Sequence, residues 1–269
     1  MTSIVATSAR DRAPSPYAQQ TMALTRAELR HVVRSPLLLF GLVPTAIATA
    51  LNGTGGPSAA FNGATVNNQI VLGALVLLAF HRTTSRAHRD GADELVASMA
   101  LHPVVRVVAG QLAAVVVALL ALVIVLATYY GYLTAGVTFE RPPTAAELAT
   151  QPLVALGAGL LGVMVGRWLP RPAAALGVLA VLVAWSVLAG SGDYRLTGPY
   201  VEFARYTEDG TPIGFHPGSS TLHAAYLLLL GAMAAVGGLL HAVRRRAGLL
   251  AVGAAVTVLT LLTGVSQLP

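Results

Sequence analysis

Cysteine is absent from the 269 residues, lysine is absent too, and charged side chains make up only 10% of the chain. Without cysteine there can be no disulfide, no thiolate nucleophile and no Cys-ligated zinc or iron–sulfur centre. Without lysine, all 17 basic residues are arginine. A Walker A loop needs its lysine to reach nucleotide phosphates, and a Schiff base needs a lysine amine, so both are excluded. A soluble domain carries about 25% charged residues. A deficit this large leaves most of the surface unsuited to water.

What is present is apolar: 55% of the residues are hydrophobic and the mean hydropathy is +0.69. These residues fall in blocks rather than stripes. A helix needs roughly 20 largely apolar residues to cross ~30 Å of hydrocarbon. Seven blocks qualify once flanks are borrowed: Pro36–Leu51, Val66–Phe80, Val104–Tyr132, Ala145–Trp168, Pro172–Ala189, Leu222–Val243 and Ala247–Val265. Only Leu169-Pro170-Arg171 separates the fourth from the fifth, which predicts a tight helical hairpin. The expected fold is all-α, a polytopic bundle of six or seven transmembrane spans.

The central stretches of these blocks hold no Asp, Glu or Arg. An ionisable group in the bilayer costs at least about 2.5–3.5 kcal/mol and persists mainly where ions or protons move. Ion-coupled transport and intramembrane catalysis are therefore disfavoured, and the driving free energy is expected from a partner. No cofactor, no metal ion and no nucleic-acid partner is expected.

Arginine placement sets the direction. With seven spans and a cytoplasmic N-terminus, Arg141, Arg195 and Arg205 alone fall outside, while Arg26, Arg30, Arg34, Arg82, Arg86, Arg89, Arg106, Arg167, Arg171 and Arg244-Arg245-Arg246 fall inside, with Arg10 and Arg12. This predicts a multi-pass plasma-membrane protein. Residues 1–21 are polar and proline-containing, with no signal-peptide core, and read as a disordered cytoplasmic tail ahead of a membrane domain over 22–269. Thr25-Arg26-Ala27-Glu28 fits a capping box and predicts a short helix from Arg26 to about Arg34. Its mixed composition suits the lipid interface, with Arg26, Glu28 and Arg30 at the headgroups. Thr144-Ala145-Ala146-Glu147 is a second capping box, opening the fourth span. Gly162-x-x-x-Gly166 permits close helix approach and is assigned to internal packing.

The stretch from His81 to Pro103 is the most informative. Asp90 is expected as N-cap, with Asp93 and Glu94 in the first turn where the helix dipole favours anions. Leu95, Met99 and His102 share a face, and Pro103 opens the next helix. A short amphipathic helix across the cytoplasmic end of the bundle follows, shaped for a groove in another protein. Here the chain resembles the permease subunits of type-2 ABC exporters. Asp90, Gly91, Glu94 and Leu95, then Pro103-Val104-Val105-Arg106, match that family's coupling helix and the start of its third span, with Ala92 where the family carries Thr. The resemblance implies a permease without enzymatic activity that docks a separate ATP-binding cassette ATPase through Asp90, Gly91, Glu94, Leu95 and Met99. It also implies a second permease, identical or not.

Other readings remain open. A non-transporting scaffold or immunity factor would need no ATPase. A lipid-modifying enzyme would need a polar cluster, for which His81, His88 and His102 beside Asp90, Asp93 and Glu94 are the available side chains, although their spacing matches no zinc motif. His216 and His223, with Tyr200, Phe203, Tyr206 and Phe215, are candidates for an outer gate.

Overall fold

The structure, a computed structural model, describes residues 15–52, 55–65, 69–98, 101–139, 141–190, 205–206, 212–214, 219–243 and 245–267. In chain order the helices are α1 (Pro16–Val33), α2 (Pro36–Asn52), α3 (Pro57–Thr65), α4 (Gln69–Thr84), α5 (Arg86–Arg89), α6 (Asp93–Ser98), α7 (Pro103–Thr134), α8 (Ala145–Trp168) and α9 (Pro172–Gly190). A small antiparallel ribbon, β1 (Arg205–Tyr206) with β2 (Pro212–Gly214), precedes α10 (Ser220–Ala242) and α11 (Ala247–Val265).

Four helices, α7, α8, α10 and α11, are individually long and apolar enough to cross a membrane, and α1 with α2 makes a fifth candidate bent by 61°. The chain is thus a multi-pass helical membrane protein. The other two expected spans are helical as well, α4 with 16 residues and α9 with 19, the same length as α11. At 1.5 Å per residue, α4 reaches about 24 Å and α7 about 48 Å, against ~30 Å of hydrocarbon.

Side-chain contacts show which helix ends lie together. At one end, His81 Nε2 lies 3.0 Å from the Leu169 carbonyl, Trp168 Nε1 donates to the Gly237 carbonyl at 2.8 Å, and Arg86 reaches Glu28. That gathers the ends of α1, α4, α8 and α10. At the other end, the Tyr132 hydroxyl donates to the Thr49 carbonyl, Thr144 and Ser220 hydroxyls meet at 3.3 Å, and His223 Nδ1 lies 3.0 Å from Gln267 Oε1. There α2 and α7 finish, α8 and α10 begin, and α11 finishes. The first end carries Arg86, Arg106, Arg167 and Arg246 and is called the basic end below.

The central helix is α8, with 61% of its apolar window buried against 11% for peripheral α11. Glycine makes that position attainable. A Cβ on Gly162 would stand 2.6 Å from the Leu77 carbonyl oxygen, and one on Gly166 would stand 2.9 Å from Thr84 Cβ. Only a bare Cα lets the backbones of α4 and α8 come so close. Phe80, Leu77, Val76 and Val163 fill the space around them.

Two expectations at the N-terminus are corrected. Helix α1 begins at Pro16, capped by Ser15, whose hydroxyl accepts from the Ala18 N–H at 3.3 Å; residues 16–21 are therefore helical. Proline at the first helical position and serine before it are favourable start signals. Thr25 accordingly caps nothing. It lies inside α1 and its hydroxyl donates to the Thr21 carbonyl at 2.8 Å. The Thr144 box forms as expected, with Glu147 N–H to Thr144 Oγ1 at 3.3 Å and Thr144 N–H to Glu147 Oε2 at 2.8 Å.

Candidate functional site

The segment from His81 to Pro103 is more helical than its polar composition suggests. Helix α4 runs on to Thr84. Ser85 separates it from α5, with its hydroxyl donating to the His81 carbonyl at 2.7 Å, and α5 adds one further turn. That turn closes on Gly91, at φ +65°, with Asp90 N–H bonded to the Arg86 carbonyl at 2.9 Å and Ala92 N–H to the Ala87 carbonyl at 2.8 Å. This is a Schellman closure, which needs a left-handed residue and so selects glycine. Asp90 therefore ends α5 rather than starting the next helix, which corrects the expected N-cap. Helix α6 starts at Asp93 and exposes Glu94 and Leu95, Leu95 by 68%. Met99 lies outside the described residues. His102 caps α7, its Nδ1 accepting from the Val104 N–H at 3.3 Å, with Pro103 at the first helical position.

Helix α1 lies against the start of α7. Val32 is buried and Leu29 packs with it, while Arg26 and Arg30 are exposed. Glu28 points inward, and its Oε1 accepts from Arg86 Nη2 at 3.0 Å. Burial pushes the Glu28 carboxyl above the usual carboxylate range, and the opposing fields of Arg86, Arg167 and His31 do not cancel that push. One ion pair thus fastens the segment carrying α5 and α6 to the helix lying at the bundle's edge. Sequence reasoning missed this pair. By sequence alone Glu28 is a cap residue and Arg86 a topology charge, and no local pattern links residues 58 apart.

Two of the three histidines in this segment have structural roles. His81 is buried against Leu169, and His102 caps α7. Among the described residues no three His, Asp or Glu side chains converge as a metal site would require. Of the expected outer gate, Tyr200, Phe203, Phe215 and His216 lie outside the described residues, while His223 is fully buried beside Gln267. That end also holds an ion pair, Arg141 to Glu147 in a two-pronged contact at 2.8 and 3.2 Å, with the guanidinium 4.9 Å from the Phe61 ring centre.

An apolar cleft of about 450 Å³ opens between α8, α9 and α10, walled by residues that include Leu153, Leu161, Trp185, Tyr226 and Met233. A second hollow of about 260 Å³ continues it toward α11, sharing Trp185, Tyr226, Leu230 and Met233. The cleft exists because α9 leans on α4 and touches α8 only sparsely. Its chemistry suits hydrocarbon and offers nothing to a hydrated ion.

Comparison with protein-family models, curated proteins and solved structures finds no match for this chain.

Proposed function

We propose that this multi-pass membrane protein is the permease subunit of an ATP-driven exporter, with its N-terminus and basic end in the cytoplasm and seven helices crossing the bilayer. The observation that carries the reading is the Glu28–Arg86 pair. It ties the α5–α6 segment, with exposed Glu94 and Leu95, to α1. A push on α6 is then transmitted through Arg86 to α1, and through the chain itself to α4 and α7. An exposed leucine beside a carboxylate on a short solvent-facing helix is what a docking groove can grip.

The helices have no charge relay of their own, which favours an external engine. A separately encoded ATP-binding cassette ATPase fits that role, acting on a pair of permeases. The apolar cleft beside α9 favours a hydrophobic or amphipathic substrate over a polar one.

The test is co-purification of the chain with each ATP-binding cassette ATPase of its source organism, followed by ATP-dependent export from cells. Glu94→Arg and Leu95→Asp, both on exposed positions, are expected to cut association at least about tenfold, the equivalent of 1.4 kcal/mol. If the purified chain alone moves solute in response to an ion gradient, or if both variants associate and export normally, the reading fails.

A further inference from the structure

Four elements meet at the basic end around a cavity of about 380 Å³, formed by the starts of α7 and α11 and the ends of α8 and α10. Its polar lining is Arg106, Arg167, Arg246 and His241. Pro103, Val107, Ala242 and Val243 supply an apolar wall. No carboxylate lines it among the described residues. Glu28, whose charge also acts on Arg167, pairs with Arg86 at 3.0 Å. Arg246 spends its Nε on the Val243 carbonyl at 3.4 Å, a neutral acceptor. Arg167 Nε is buried and, among the described residues, meets no hydrogen-bond acceptor.

A buried guanidinium donor without an acceptor costs free energy. That penalty vanishes if an anion enters. Guanidinium groups present several donors in a fixed fork that matches phosphate oxygens, and the low dielectric of the site strengthens each contact. The apolar wall then accommodates whatever carbon chain the phosphate carries.

We infer that this cavity is a binding site for a phosphate ester, gripped by Arg106, Arg167 and Arg246. Its position at the ends of apolar helices suits the headgroup of an anionic phospholipid with its acyl chains running alongside the bundle. A soluble phosphate monoester would satisfy the same donors. The inference stands apart from the exporter reading and needs no ATPase.

Trp168 packs edge-on to His241 with ring centres 5.2 Å apart, so its fluorescence reports on the cavity. The full chain in detergent is titrated with short-chain phosphatidylglycerol, with short-chain phosphatidylcholine and with glycerol 3-phosphate. Saturable phosphatidylglycerol binding that weakens at least about tenfold in Arg106→Gln and in Arg246→Gln supports the site with lipid as its source. The charge-matched control Arg171→Gln, at the start of α9, retains wild-type affinity. The same loss seen for glycerol 3-phosphate but not for the lipid supports the site with a soluble source. Arg246 is exposed on the cavity rim, so Arg246→Gln still folds if a change deeper in the cavity does not. Affinities unchanged in both variants, equal binding of phosphatidylcholine, or no binding of either phosphate compound would overturn it.

Discussion

Glu28 shows how one side chain can be held against its own solvation. Its folded carboxyl binds a proton more tightly than the unfolded one does, because burial outweighs the attraction of Arg86, Arg167 and His31. By linkage, its contribution favours folding at acid pH and turns unfavourable as pH rises through the raised value. Glu28→Gln mimics the protonated form. Thermal unfolding in detergent is expected to find Glu28→Gln matching the wild type at acid pH and exceeding it at neutral pH. A variant less stable than wild type at neutral pH would contradict this. Glu147 forms an ion pair at the opposite end of the bundle. It is only 4% exposed at the side chain, holds Arg141 with two contacts and caps α8. Glu147→Ala should cost about 2–3 kcal/mol in equilibrium unfolding, below the value for a fully buried pair because Arg141 is 32% exposed.

Between elements, the α4–α8 contact governs the bundle. Gly159, Gly162 and Gly166 form one stripe facing Phe80, Leu77, His81 and Thr84. Gly162→Leu must push against backbone rather than a flexible side-chain tip. It is expected to lower stability by about 1–3 kcal/mol or to prevent folding altogether, read as loss of monodisperse protein on size-exclusion chromatography. Gly177→Ala, where an added Cβ meets nothing within 4 Å, should show no such loss. The stripe was visible in the sequence as Gly162-x-x-x-Gly166, but its partner was not, because glycine spacing names the face and not the neighbour. The same holds for Gly91. The sequence pattern marked it as part of a docking helix, whereas hydrogen bonding makes it the closing residue of α5.

For the whole molecule, the proposed orientation puts α6 inside the cell and the stretch after α7 outside. The absence of cysteine makes this directly measurable. Single substitutions Ser98→Cys and Thr138→Cys, both at exposed positions, should respond differently to a membrane-impermeant maleimide. Intact cells should label Thr138→Cys alone, and Ser98→Cys should label only after permeabilisation. The reverse pattern would invert the topology, and labelling of both in intact cells would break the alternation of helices.

The helical class, the apolar blocks, the Thr144 capping box and the sorting of arginine to one end were all determined by the sequence alone, because each rests on hydropathy, charge or interactions within a few residues. Only the tertiary structure decided that α8 takes the central place, that Glu28 turns inward to Arg86, and that Arg106, Arg167 and Arg246 surround one cavity. Those outcomes depend on which helix faces which. That choice is made by close packing along α8, between residues whose distance in space bears no relation to their distance along the chain.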